Sequence, residues 1–175
     1  EISLSKTPVK EQVICSVDLG INTDAVCSIM RADGTILRRK FINFPSDKDH
    51  LYHVLGRISR FQREHGSRQV QSWWAYAKRL NVELSRKTAA AITEYARENK
   101  ADVIVFEYLE MQGKISGKKK QKLHLWRKRD IQKICEHQAH RCGIRISRVS
   151  ARNTSRFAYD GSGRVIRSAE DHSLC

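Results

Sequence analysis

Val13-Ile14-Cys15-Ser16-Val17-Asp18-Leu19-Gly20 decides the fold, together with a second apolar run, Val103-Ile104-Val105-Phe106-Glu107. Both read as strands. Each carries one carboxylate, Asp18 inside the first and Glu107 at the end of the second. A carboxylate in an apolar strand is costly to desolvate unless it meets a cation or a hydrogen-bond donor. Two of them at equivalent strand ends point to a divalent metal site. The plainer readings are an Asp turn at a strand end for Asp18 and a salt bridge to one of the many basic residues for Glu107.

Working outward from Asp18, the pattern from Gln12 to Phe44 is β. Apolar strands near 12–19 and 24–31 precede the turn Ala32-Asp33-Gly34-Thr35, and a third strand follows near 35–43. Asp-Gly between two strand-like runs is a hairpin signal, so a three-stranded antiparallel meander begins with Asp18. Pro45 and Ser46 then open a helix, with Ser46 as the expected N-cap and Asp47 and Asp49 in the first turn. Leu51, Val54, Leu55, Ile58 and Phe61 recur at helical spacing as far as Gly66. A second helix is expected over 68–99, with Trp73, Ala77, Leu80, Leu84, Thr88, Ala91 and Tyr95 as its stripe. At 1.5 Å per residue it would be roughly 45 Å long.

The run 102–109 is apolar almost throughout, as expected of a strand buried on both faces of a parallel sheet. A basic loop over 113–122, a helix over 123–141 ended by Gly143, and a half-buried strand over 144–149 complete the pattern. The order β-β-β-α-α-β-α-β is that of ribonuclease H. It predicts an α/β fold with an RNase H-like mixed five-stranded sheet, order 3-2-1-4-5, and a helical hairpin over about 46–100 inserted between strands 3 and 4. Residues 1–150 form the expected core, and 151–175 a polar tail rich in Gly, Ser and Arg.

Composition narrows the partners. Net charge is +14, and Lys114 to Arg152 holds 13 lysines and arginines against only Asp130 and Glu136. A concentrated basic surface releases counterions from a polyphosphate backbone, which makes nucleic acid the leading partner over a merely solvated face. No apolar stretch approaches 18 residues and no signal peptide is visible, so the chain reads as cytoplasmic, without a membrane partner. Cys15, Cys27, Cys135, Cys142 and Cys175 are odd in number and lack Cys-x-x-Cys spacing, against a disulfide framework or a zinc site. Cys15 and Cys27 read as core strand residues; Cys135 and Cys142 are expected on one helix face.

The residues also carry a resemblance. Val17-Asp18-Leu19-Gly20-Ile21-Asn22, with Gly34 at the next turn, is similar to the first RuvC motif of transposon-encoded TnpB-type nucleases and type V CRISPR effectors. Val103-Ile104-Val105-Phe106-Glu107-Tyr108-Leu109 resembles their second motif, and Trp126, Ile131, Ala139, Gly143-Ile144, Val149 and Thr154-Ser155 follow in the family's order. The resemblance implies a DNA endonuclease, directed by a guide RNA, in which Asp18 and Glu107 are catalytic and bind Mg²⁺ or Mn²⁺. In such a site Asp18 bridges two ions and Glu107 binds one, and a third carboxylate completes the set.

Two departures matter. Thr154-Ser155 is not followed by Cys-x-x-Cys, so the family's zinc ribbon reads as degenerate and zinc is not expected. No Asp-x-Asn-Ala-like motif supplies the third carboxylate before residue 175; Asp160 stands beside Gly161 as a turn former. The start at Glu1 and stop at Cys175 suggest a piece of a longer protein. Lys114, Lys118, Lys119, Lys120 and Lys122, with Arg127, Lys128 and Arg129, are the expected nucleic-acid contacts beside the metal site. Trp73, Trp74 and Trp126 would stack on bases or, for at least two of them, anchor helices. Two other readings stay open: a non-cleaving nucleic-acid-binding module derived from such a nuclease, and an actin-like ATPase lobe, suggested by Asp18-x-Gly20 with Thr23.

Overall fold

The computed structural model of the protein describes residues 12–20, 22–66, 70–108 and 119–150. Its strands are β1 Val13–Asp18, β2 Ala25–Arg31, β3 Ile36–Ile42, β4 Val103–Tyr108 and β5 Arg145–Ser150, and its helices α1 Pro45–His65, α2 Gln71–Glu98 and α3 Lys119–Arg141. They form one five-stranded sheet in the order β3-β2-β1-β4-β5. β1 pairs antiparallel with β2 and parallel with β4, β2 antiparallel with β3, and β4 parallel with β5. This is the RNase H-like topology expected from the element order.

Local chemistry sets the register. At the β2–β3 hairpin Gly34 adopts φ 90°, a conformation that favours glycine, and Asp33 Oδ1 accepts the Thr35 N–H at 2.9 Å. That bond holds the exposed Asp33 carboxyl below its ordinary range. At the opposite junction Asp102 Oδ2 accepts the Val13 N–H at 2.9 Å while the Asp102 N–H donates to the Val13 carbonyl, also at 2.9 Å. The parallel pairing of β1 with β4 is therefore pinned at its start, and a slip of one residue would turn every apolar side chain to the wrong face.

One sheet face is covered by α2 and α3. Cys15, Val17, Cys27, Ile29, Ile104 and Phe106 point into a core with Ala89, Ile92, Ala96, Ile131, Cys135 and Ala139. Burying a side chain the size of Phe106 or Ile104 contributes about 1.5–3 kcal/mol. Contact with Cys15 and burial raise the Cys27 thiol, and burial pushes the Cys135 thiol up to about 12. Both stay protonated and behave as core residues. Cys142 differs from expectation: it lies beyond the end of α3 and is exposed.

A second cluster, Leu51, Val54, Ile58, Val70 and Ala77, joins α1 to the first half of α2. The second half of α2 packs on the sheet, where buried Ser85, Thr88 and Thr93 hydroxyls satisfy themselves on carbonyls four residues back. The hairpin therefore extends beyond the sheet, with α2 roughly 42 Å long. Two boundaries and one side-chain orientation differ from the sequence reading. Phe44, not Ser46, is the α1 N-cap, because Pro45 occupies the first helical position where its missing N–H costs nothing. α3 begins at Lys119 rather than at 123. Trp73 is exposed, and it is Trp74 that turns toward the hairpin core.

Candidate metal and nucleic-acid site

The pairing of β1 with β4 runs to Val17 opposite Phe106. The next residues are Asp18 and Glu107, on adjacent strands spaced roughly 4.8 Å apart. Since Val17 and Phe106 face the helices, Asp18 and Glu107 face the opposite side of the sheet, at the same level. Cross-strand pairing extends this row: Phe41 stands opposite Val26, Val26 opposite Asp18, and Glu107 opposite Val149. Phe41 and Val149, 67% and 49% exposed, flank the acids with apolar surface.

Asp18 is exposed and Glu107 is half-buried. This corrects the premise that both carboxylates suffer burial: each is the last polar step of an apolar strand, placed where the strand leaves the core. Among the described residues neither side chain has an ion-pair or hydrogen-bond partner. The salt bridge considered for Glu107 is absent there. Two neighbouring carboxylates without cations are hard oxygen donors suited to Mg²⁺ or Mn²⁺. No group of three His, Cys, Asp or Glu side chains that could hold a metal is found among the described residues.

The backbone beneath the pair is braced. Gln132 Nε2 donates to the Glu107 carbonyl at 3.0 Å, Arg148 Nε donates to Gln132 Oε1 at 3.4 Å, and Arg148 Nη2 donates to Glu136 Oε2 at 2.7 Å. The Arg148 bond holds the Glu136 carboxyl below its ordinary value. After Asp18 the chain turns tightly: a Cβ at Gly20 would lie 2.6 Å from the Thr23 carbonyl oxygen. Only glycine permits that approach.

The buried carboxylate of this region is Asp24, which sequence reasoning missed. It is 1% exposed; Oδ2 accepts the Phe44 N–H at 2.8 Å and lies 3.7 Å from Lys48 Nζ, and Oδ1 lies 3.5 Å from Arg127 Nη2. Arg127 is itself 3% exposed, and desolvation lowers its pKa while Asp24 opposes that shift. Arg127 therefore lies buried against an acid, not on the exposed face expected of a nucleic-acid contact. No signal in the turn Asn22-Thr23-Asp24 distinguishes it from an ordinary polar loop.

The other basic residues divide. Lys128 is half-buried and Arg129 exposed on α3. Lys119, Lys120 and Lys122 fall on the first turn of α3, with side chains outside the description, as is that of Trp126. Lys114 and Lys118 lie outside the described residues, as does everything after Ser150, including the ribbon-like segment and Asp160. No described helix is long and apolar enough to cross a membrane.

The class these strands define is the RNase H-like fold. Among solved structures, the chain matches a Cas12f1 chain in complex with sgRNA and target DNA, with a TM-score of 0.60 and 19% identity over 93% of this chain and 41% of that one. It also matches a chain of a CRISPR-Cas12f ternary complex, with a TM-score of 0.66 and 19% identity over 94% of this chain and 33% of that one. The chain thus spans about two fifths or less of these neighbours, and at this identity the likeness is one of fold. No protein-family model and no curated protein matches it.

Proposed function

We propose that this chain is the RuvC-like core of a metal-dependent DNA endonuclease of the TnpB type, working with a guide RNA. The observation that carries the reading is the pair Asp18 and Glu107, unpartnered among the described residues, side by side on one sheet face. The Cas12f1 neighbour, solved with sgRNA and target DNA, supports the choice of partners. Asp18 and Glu107 would hold Mg²⁺ or Mn²⁺, which when bound stabilises charge on a phosphodiester and activates water. The Gln132 bond fixes the level of Glu107, and Gly20 lets the chain turn away without crowding Asp18. Lys128, Arg129 and the lysines of 114–122 would hold the backbone of the strand to be cut.

A second reading, a binding module without cleavage, is favoured by the lack of a third acid among the described residues. Isothermal titration of the chain with Mn²⁺ tests the metal site: binding that disappears in both Asp18→Ala and Glu107→Ala is expected. Nicking of supercoiled DNA by a chain extended past residue 175 separates the two readings. Equal cleavage by wild type and Asp18→Ala would sink the nuclease assignment, and metal binding without cleavage would leave the binding module.

A further inference from the structure

The α1–α2 hairpin carries a second basic surface that the carboxylate pair does not use. Arg57, Arg60 and Arg63 recur at steps of three along α1, all exposed. They span roughly 9 Å of helix axis. Three other cations of the hairpin have acids: Lys87 reaches Asp47 at 2.9 Å, Arg86 reaches Glu83 at 3.7 Å and Arg97 reaches Glu94 at 2.5 Å, while Arg79 lies over the Tyr76 ring. Among the described residues none of the three arginines has a carboxylate partner; Arg63 Nε donates only to the Ser59 carbonyl, at 3.4 Å.

The three arginines line a groove of about 880 Å³ together with Tyr52, His53 and Trp74. Tyr52 is 59% exposed. Toward the start of α1 a second depression of about 620 Å³ continues past His50, His53 and Arg57. Its one acid, Asp49, is engaged by His53 at 3.4 Å. A row of guanidinium groups beside the exposed ring of Tyr52 suits a strand whose phosphates meet arginine and whose bases stack on an aromatic face. A duplex keeps its bases stacked inside and would leave the rings unused, and an acidic peptide would likewise need only the charge.

The location fits such a strand. α1 begins at Pro45, at the edge of the row that carries Asp18, since β3 ends at Ile42 beside Ala25. Arg57 lies roughly 18 Å further along the axis, away from the sheet. We infer that this groove is a binding site for single-stranded nucleic acid, distinct from the carboxylate pair, with Arg57, Arg60 and Arg63 on the phosphates and Tyr52 against the bases. Neither metal nor hydrolysis enters, so the assignment is separable from the proposed nuclease reaction.

Fluorescence anisotropy of a labelled 12-nucleotide oligouridylate with the full chain in EDTA tests it. The variant Arg57→Gln/Arg60→Gln/Arg63→Gln changes exposed residues only, and its melting temperature checks the fold. It should reduce the slope of log K against log salt by about 2, from roughly 0.7 per phosphate contact. Tyr52→Ala should weaken binding about 5-fold or more with an unchanged slope. Arg86→Gln, on a paired cation, should leave both unchanged, and Asp18→Ala should lose Mn²⁺ while keeping the oligouridylate. An unchanged slope in the triple variant overturns the inference. So does an equal loss in Arg86→Gln, or equal Tyr52 sensitivity for a 12-base-pair duplex or for polyglutamate.

Discussion

Replacing Arg127 by Met keeps much of the aliphatic bulk and removes the charge facing Asp24. At 3.5 Å and an effective dielectric of 20, attraction between the two groups is about 5 kcal/mol, part of which offsets their desolvation. Removing one partner of a buried pair costs about 3–5 kcal/mol, because the other is left uncompensated. Lys48 Nζ at 3.7 Å and the Phe44 N–H at 2.8 Å still serve Asp24, which places the expected loss for Arg127→Met near the low end, about 3 kcal/mol. Asp24→Asn should cost a similar amount, since it strands a guanidinium that is 3% exposed. The double variant should cost less than the sum of the singles by about 2 kcal/mol or more. Urea unfolding followed by far-UV circular dichroism, with a common m value, measures all four corners of the cycle. If Arg127→Met lies within about 0.5 kcal/mol of wild type, or the singles simply add within about 0.5 kcal/mol, the buried-pair reasoning is refuted. In that event Arg127 returns to the surface basic set.

Gly20→Ala should cost about 1–3 kcal/mol in chemical denaturation, because its Cβ would lie 2.6 Å from the Thr23 carbonyl oxygen, and it should weaken Mn²⁺ binding by displacing the turn after Asp18. Gly56→Ala is the matched control: nothing lies within 4 Å of its Cβ on α1, so it should stabilise by up to about 1 kcal/mol. Glu136 has a folded pKa below its ordinary 4.5, so its pair with Arg148 contributes above that value and is lost as pH falls through the depressed folded one. The advantage of wild type over Glu136→Gln, under about 1 kcal/mol for a part-exposed pair, should therefore vanish on acidification below 4.5. An advantage that persists unchanged to about pH 3, well below the ordinary carboxylate range, contradicts the assignment.

The fold was legible because periodicity and turn chemistry agree along the chain. Asp33-Gly34 marked the hairpin, the uninterrupted run Val103 to Phe106 marked a central parallel strand, and Leu51, Val54 and Ile58 marked the inner face of α1. The adjacency of Asp18 to Glu107 was implied by the family resemblance, and the pairing of β1 with β4 places the two side by side. What the pattern could not give was burial at single positions. Alternation cannot tell a carboxylate leaving the core, such as Asp18, from one entering it, such as Asp24, since the difference lies in Phe44, Lys48 and Arg127, distant in sequence. A basic run likewise reads as one surface, although the α3 helix turns Arg127 inward and Arg129 outward. Trp73 and Trp74 were separable only once the helix phase was known.

The Asp24 cluster also bears on how the two proposed nucleic-acid surfaces would act together. α1 packs chiefly on α2, and its attachment to the sheet end comes from its first turn. There the Phe44 N–H is held by Asp24, and Lys48 Nζ bonds the Asn22 carbonyl at 2.5 Å and also Asn43 Oδ1. Arg127 brings α3 to the same point. One buried acid thus ties the turn after Asp18 to the base of the hairpin and to the helix that follows β4. A strand held along Arg57, Arg60 and Arg63 would then meet the carboxylate pair in a fixed direction only while that knot is intact. Loosening it should therefore leave the oligouridylate affinity of the groove near wild type while lowering the stability of the fold, a separation that Asp24→Asn makes measurable by anisotropy beside urea unfolding.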